Sequence, residues 1–249
     1  MRHLLIMFLD GVGLGEADAE KNPFACGDTP KLGALLEGRT LVRATSRFST
    51  DMVSFVPTDP CLGVDGRPQS ATGQATIVTG LNVPQMTGRH WGPKPNADIQ
   101  RIVSADNLFI RLAAQGHSLR LANAYPTSFF NGINSGRRSY SSLQLAFVTA
   151  GISLYTHQHL RSGHAFAADF CGDEWRSRLQ VSDAPLYSPE EAGRRLASKG
   201  QRHSLVLFDH WPSDVVGHRG TMDQAVDLVG RIDAVLGGIM EEWNPDGGL

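Results

Sequence analysis

Cysteine is scarce in this chain. Its 249 residues include three cysteines, Cys26, Cys61 and Cys171, and no two of them form a Cys-x-x-Cys pair. An odd number of widely spaced cysteines favours neither a disulfide framework nor a zinc ribbon. We therefore expect reduced thiols with structural roles, as is typical of a cytoplasmic protein.

A membrane-spanning apolar run and an excess of one charge are also missing. The apolar stretch "LLIMFL" (residues 4–9) is too short to span a membrane and is not followed by a signal-peptide cleavage site. The 23 basic residues nearly balance the 25 acidic ones. This balance gives no electrostatic reason to expect nucleic acid or a membrane as a partner. The sequence does not predict the oligomeric state.

Apolar segments of strand and helix length are present instead. "HLLIMFLD" (residues 3–10) and "HSLVLFDH" (residues 203–210) have the pattern of parallel strands buried on both faces. A helix that starts after Ser188 and ends at Gly200 leads into the second strand. This alternation predicts an α/β fold, with a three-layer α/β/α core around a mostly parallel sheet.

The segment 126–187 differs from the rest of the chain. It is rich in serine, glycine, arginine and histidine and contains no convincing buried strand. We interpret it as a small inserted cap. The core would then consist of residues 1–125 and 188–249.

Several residues with metal-binding side chains follow the two predicted strands. In open parallel sheets, reactive groups collect at the carboxyl ends of strands, and Asp10 and Asp209–His210 lie at such ends. Asp214 and His218 are four residues apart, so on a helix they share one face and can bind one divalent ion. The alternative for this pair is a solvated loop.

Ser70 precedes a predicted helix in "GRPQSATGQATIVTG". A hydroxyl at a helix N-terminus lies among backbone N–H groups and near the positive end of the helix dipole, which favours a negatively charged oxygen. The alternative is a plain N-cap serine. Thr72 is a second hydroxyl that suits either role.

The glycines after Asp10 raise a separate question. "GVGLGEA" does not fit the dinucleotide-binding pattern G-x-G-x-x-G, because its third glycine comes one residue early. A haloacid dehalogenase motif would need a second aspartate near the strand end. We therefore expect these glycines to let the backbone turn tightly beside a metal centre.

Three stretches in this order resemble the alkaline phosphatase superfamily, and within it the branch of cofactor-independent phosphoglycerate mutase and phosphopentomutase. "FLDGVG" matches the metal-binding aspartate and glycine after the first strand, at Asp10. "QSATGQ" matches the nucleophile motif at Ser70, and "DVVGH" matches D-x-V-G-H at Asp214 and His218. The resemblance covers the chain from the first strand to the last helix.

The resemblance implies a catalytic role for each of these residues. Asp10 and Ser70 would bind one of two divalent metal ions (Mn, Zn or Mg), and Asp214 and His218 the other. Ser70 would attack a small phosphorylated substrate and form a phosphoserine intermediate. Water would complete the cycle in a phosphatase, and a second substrate hydroxyl in a mutase. Hydrolysis of sulfate or phosphodiester substrates is an alternative.

The chain also departs from the family pattern. Gln69 replaces the family's Asn or Asp, and Gln74 replaces its His. The family's Asp-His-Gly motif and a later metal-binding histidine have no counterpart, although Asp209 or His210 is available as a substitute ligand. We therefore expect either a truncated version of a longer enzyme or a binding or scaffold protein that has lost full catalysis.

The predicted cap contains two further groups of polar residues. Arg137 and Arg138 suit a phosphate or carboxylate through bidentate hydrogen bonds, with a solvated loop as the alternative. His157, His159 and His164 lie close together in sequence without an acid or cysteine among them. We interpret these histidines as a polar cap surface rather than a metal cluster.

Overall fold

The computed structural model describes residues 3–244. Within them lie seven strands: β1 (Leu4–Leu9), β2 (Phe48–Ser49), β3 (Ser54–Phe55), β4 (Leu119–Leu121), β5 (Ala124–Tyr125), β6 (Tyr155–Thr156) and β7 (Leu205–His210). The same residues form thirteen helices: α1 (Pro23–Cys26), α2 (Pro30–Leu35), α3 (Ser70–Thr79), α4 (Val83–Thr87), α5 (Ala97–Ala105), α6 (Leu108–Ala114), α7 (Thr127–Asn134), α8 (Ser142–Thr149), α9 (His157–Arg161), α10 (Asp173–Ser177), α11 (Pro189–Gly200), α12 (Pro212–Arg219) and α13 (Met222–Glu242).

Three of the strands form a parallel sheet in the order β1-β7-β4. Leu119 pairs with Leu205, and Leu121 pairs with Leu207. On the other side of β7, the Leu4 N–H donates to the Ser204 carbonyl at 3.1 Å. Helices flank this sheet. The predicted α/β fold with a parallel sheet is therefore confirmed.

The two long strands differ in burial. All six residues of β7 are buried, as the sequence predicts. All six residues of β1 are only half-buried, so the prediction of full burial on both faces is wrong for this strand. The reason is the strand order, because β1 ends the sheet within residues 3–244 and has one strand neighbour there.

The chain divides into two compact units, which we describe separately. Unit 1 comprises residues 3–6, Asp59–Phe166 and His203–Phe208, and unit 2 comprises Met7–Thr58, Ala167–Arg202 and residues 209–244. The inserted cap at residues 126–187 stays a prediction.

Unit 1 is built around helices α3, α5 and α8, which pack against one another. Helices α6 and α8 also pack against β4. Between these two helices the rings of Phe109 and Phe147 stack with their centroids 3.9 Å apart. This apolar packing fixes α3, the helix that carries Ser70, within unit 1.

Unit 2 is built around the long helix α13, which packs against α11. A Cβ atom on Gly193 would lie 2.1 Å from the Val235 carbonyl oxygen, and one on Gly238 would lie 2.0 Å from the Glu190 carbonyl oxygen. Glycine at both positions therefore permits this close approach. The predicted start of α11 is confirmed, since the Ser188 hydroxyl accepts from the Glu191 N–H at 3.2 Å.

Helix α13 also contributes a buried carboxylate to the start of α2. The Asp233 carboxylate accepts from the Leu32 N–H at 2.7 Å and from the Lys31 N–H at 3.1 Å. These bonds satisfy two N–H groups that a helix start leaves without intrahelical partners.

Two further expectations concern the whole chain. No helix within residues 3–244 is both long enough and apolar enough to cross a membrane. The segment where the resemblance leads us to expect a further strand runs into residues 245–249, which lie outside the described residues.

Candidate functional site

The loop after β1 approaches helix α12 within unit 2. Gly11 has a φ of +73°, and a Cβ atom there would lie 2.8 Å from the Asp214 Cα and 3.0 Å from its Oδ1. Any side chain at this position would collide with Asp214, so glycine is required for space as well as for conformation. The structure thus brings the predicted residue Asp214 next to the loop that begins at Asp10.

A serine that the sequence analysis did not select connects these elements. The buried Ser213 hydroxyl lies 2.7 Å from the Asp10 carbonyl oxygen and 3.0 Å from the His210 carbonyl oxygen, and its one hydrogen is shared between these two acceptors. The Asp10 N–H also donates to the His210 carbonyl oxygen, at 3.0 Å. The only sequence signal for Ser213 was its position directly before Asp214.

Asp214 and His218 lie on one face of α12, as their spacing predicts. The distance between Asp214 Oδ1 and His218 Nε2 is 3.3 Å, and the two side chains are 34% and 49% exposed. This separation is that of an ion pair between residues four apart, and it also equals the roughly 3.3 Å between two ligand atoms about 2.0–2.1 Å from one tetrahedral ion. Nowhere in residues 3–244 do three or more His, Cys, Asp or Glu side chains form a group that could hold a metal ion. The two-ion centre stays a prediction.

His210 is a buried, neutral imidazole at the end of β7. Its Nδ1 lies 2.7 Å from the Ala168 carbonyl oxygen, which can only accept, so Nδ1 carries the proton. Its ring stacks on Phe170 with the centroids 4.5 Å apart. Burial lowers the pKa of His210 to about 4. The unprotonated Nε2 has no hydrogen-bond partner in the described part of the chain.

Ser70 lies at the start of α3 in unit 1. Gln69 is the N-cap residue, and Ser70 is the first residue of the helix and half-buried, so the plain N-cap role does not apply to it. A Cβ atom on Gly92 would lie 2.8 Å from Gln69 Oε1 and 3.3 Å from the Ser70 nitrogen. The loop at Gly92, which the sequence analysis did not select, therefore packs tightly against this helix start.

The Thr72 hydroxyl, the alternative nucleophile, is buried in contacts that hold the protein's structure together. Thr72 is fully buried, and its hydroxyl lies 3.2 Å from the Gln69 carbonyl oxygen. The same hydroxyl accepts from the Trp91 N–H at 3.2 Å. These contacts attach the 91–92 loop to α3, so Ser70 is the better candidate nucleophile.

Gln74, at the position where the resemblance would place a histidine, is buried inside unit 1. Its Oε1 accepts from the Leu143 N–H at 3.4 Å, in the first turn of α8. One contact of this side chain therefore supports the packing of α3 against α8.

The polar residues of the predicted cap have surface environments. Arg137 and Arg138 are exposed. Arg137 Nε donates to the Ser135 hydroxyl at 3.0 Å, and the Arg138 guanidinium lies 5.6 Å from the Phe129 ring centre. These contacts agree with a solvated loop, and a role in substrate binding stays a prediction.

Each of the three cap histidines contacts a nearby hydroxyl through its Nδ1. The partners of His157, His159 and His164 are Thr127 at 3.4 Å, Thr156 at 3.0 Å and Ser162 at 2.8 Å. This pattern agrees with the interpretation as a polar surface.

The predicted site residues are divided between the units. Unit 2 brings Asp10, Asp214 and His218 into one region, whereas Ser70 and the two arginines belong to unit 1. No protein-family model matches this chain, and no curated protein or solved structure is significantly similar to it.

Proposed function

We propose that this chain is a metal-dependent phosphoryl-transfer enzyme, either a phosphomutase or a phosphomonoesterase, that acts on a small phosphorylated metabolite in the cytoplasm. The observation that carries the proposal is the contact region in unit 2. There the Asp10–Gly11 loop packs against Asp214, which lies 3.3 Å from His218. The order of the three motifs supports Ser70 as the nucleophile.

The proposed reaction assigns a separate role to each group. Asp214 and His218 would bind one divalent ion, and the resemblance assigns Asp10 and Ser70 to a second. When bound, such ions neutralise phosphoryl oxygens and favour the ionised serine hydroxyl. As the Ser70 oxygen forms its bond to phosphorus, the bond to the leaving oxygen breaks. The hydroxyl proton passes to solvent or to the leaving oxygen, and water or a second hydroxyl then takes the phosphoryl group.

The position of Ser70 supports this role. A ten-residue helix begins at Ser70, so the positive end of its dipole is close to the oxygen that would become negative. This effect is local to unit 1 and does not depend on a bound ion.

Phosphoenzyme formation tests the proposal. We expect the Mn²⁺-loaded protein to hydrolyse p-nitrophenyl phosphate and to contain phosphoserine at Ser70, detected by mass spectrometry after acid quenching. Ser70→Ala should abolish the phosphoenzyme, since it removes the nucleophilic oxygen. Ser104→Ala, which removes an exposed serine hydroxyl from α5, is the control and should behave like the wild type.

Two outcomes would contradict the assignment. A phosphoenzyme that persists in Ser70→Ala would place the nucleophile elsewhere. A wild-type protein that neither binds Mn²⁺ nor forms a phosphoenzyme would contradict the enzymatic function.

A second candidate function is a non-catalytic binding or scaffold protein of the same fold. The environment of Gln74 favours it, because this residue, at the position of a family histidine, packs toward α8. Calorimetry with a non-hydrolysable phosphonate separates the two functions. Binding without turnover supports the second candidate. Hydrolysis of sulfate esters or phosphodiesters in preference to phosphomonoesters would indicate a sulfatase or a phosphodiesterase instead.

A further inference from the structure

Ser213 joins three parts of unit 2 through one buried hydroxyl. The hydroxyl lies 2.7 Å from the Asp10 carbonyl oxygen, after β1, and 3.0 Å from the His210 carbonyl oxygen, at the end of β7. Ser213 is itself in the first turn of α12, next to Asp214. A single donor therefore connects the carboxyl ends of two strands with the start of the helix that carries the Asp214–His218 pair.

We propose that Ser213 is a positioning residue that fixes Asp214 and His218 relative to the Asp10 loop. The inference rests on the proposed function, since it concerns the residues assigned there to metal binding. Ser213 acts through the backbone and touches no reacting atom.

The packing at Gly11 explains why this connection matters. The Gly11 backbone lies so close to Asp214 that a Cβ atom would be 3.1 Å from the Asp214 Cβ. Because α12 and the loop are in contact, a small shift of the helix start displaces the Asp214 carboxylate. The Ser213 hydroxyl opposes such a shift, because its one hydrogen is shared between the carbonyl oxygens of Asp10 and His210. Groups that hydrogen-bond directly to a metal-ligating side chain change metal affinity by about 10- to 100-fold when they are removed. Ser213 acts one step further away, through the backbone, so its effect should lie at the lower end of this range.

Ser142 offers a matched control in unit 1. Its hydroxyl is fully buried and donates to the Ala71 carbonyl oxygen at 2.7 Å, the same kind of bond at the same distance as the bond from Ser213 to Asp10. Replacing either serine with alanine removes one buried hydroxyl and leaves a carbonyl short of a donor. Of the two serines, only Ser213 adjoins Asp214 and His218, whereas Ser142 donates to the residue that follows Ser70.

The first measurement is Mn²⁺ affinity from the free-ion EPR signal, with MnCl₂ as the probe and urea unfolding to compare stability. We expect Ser213→Ala to bind Mn²⁺ about 10-fold more weakly than the wild type. Ser142→Ala should lose comparable stability and keep the wild-type affinity for the ion assigned to Asp214 and His218. Ser213→Cys has a slightly larger side chain and keeps a weak donor, so its affinity should be intermediate.

Amide hydrogen exchange of the metal-free protein provides the second measurement. Ser213→Ala should increase exchange in residues 10–13 and 212–219, and Ser142→Ala should not. If the wild type binds no Mn²⁺ but exchange increases there, the metal function fails and the positioning role stands. Unchanged exchange, or equal losses of Mn²⁺ affinity in Ser213→Ala and Ser142→Ala, would overturn the proposal for Ser213.

Discussion

Strand β7 lies between β1 and β4, whereas β1 pairs only with β7 among the strands of residues 3–244. Both strands have six residues, and the apolar run of each is followed by an aspartate, Asp10 for β1 and Asp209 for β7. Every residue of β7 is buried, and every residue of β1 is half-buried. The strand with six apolar residues, β1, is therefore less buried than β7, which ends with Asp209 and His210.

The difference shows that neighbours rather than hydropathy decide how deeply a strand is buried. An apolar strand reaches full burial only when other elements cover its faces and edges. Within β1 there is no charged residue or proline of the kind that protects an exposed sheet edge. Strand β1 is therefore as apolar as a fully buried strand, although its residues are only half-buried within residues 3–244.

The strongest test of this comparison replaces one phenylalanine in each strand with alanine. Phe208 is fully buried and packs edge-on against Phe166, whereas Phe8 is half-buried. We expect Phe208→Ala to lower the free energy of unfolding by about 3–5 kcal/mol, and Phe8→Ala by roughly 1–2 kcal/mol, because less contact area is lost. Urea unfolding of both variants measures the difference. Equal losses would mean that β1 is covered in solution as completely as β7.

Proline substitutions in β1 test which edge is paired. The N–H groups of Leu4 and Asp10 both donate to carbonyls at the β7 side, at 3.1 and 3.0 Å. Successive N–H groups of a strand point to opposite edges. The Ile6 N–H therefore faces β7, like those of Leu4 and Asp10, and the Met7 N–H faces away. Ile6→Pro should cost about 3 kcal/mol of unfolding free energy, since it removes a ladder bond. Met7→Pro should cost clearly less, as measured by thermal unfolding.

A similar loss for both proline variants would show that the outer edge of β1 is also paired. Met7→Ala serves as the control for the lost side chain.

The smallest expected effect, when it is measured over a single pH unit, concerns the end of β7. Burial lowers the pKa of His210 from 6.5 to about 4, so the folded protein keeps this residue neutral while the unfolded chain is protonated below about pH 6.5. The unfolding free energy should therefore decrease as the pH falls from about 6.5 to about 4, by about 1.4 kcal/mol for each pH unit. Above this window the contribution of His210 does not change with pH.

His210→Gln isolates this contribution, because the carboxylates titrate in both proteins. We expect the pH dependence of stability between pH 6 and pH 5 to be shallower in the variant, as measured by urea unfolding at each pH. Parallel curves for the two proteins would show that His210 titrates normally in the folded state.

Local patterns were sufficient to predict much of the fold. The apolar runs predicted the two longest strands, and the capping residue Ser188 predicted the start of α11. The four-residue spacing of Asp214 and His218 predicted their common face. These features depend on residues close together in sequence, where backbone geometry alone fixes which side chains are neighbours.

Contacts between distant segments were not predictable in this way. Ser213 and Asp10 are 203 residues apart, and the bond between them depends on β1 and β7 being adjacent. Gln74 was notable in sequence only as a departure from a motif, and its contact with α8 required the folded unit. The same holds for Gly92, which no local pattern distinguishes from a loop glycine.

The sequence by itself determined the α/β class, the positions of the main strands and the candidate ligands Asp10, Asp214 and His218. Only the tertiary structure decided that β1 is half-buried, that Thr72 supports the 91–92 loop and that Gly11 must contact Asp214. The physical reason is that hydropathy and spacing act within one segment. Burial and hydrogen-bond partners depend on which segments the sheet and the helices bring together.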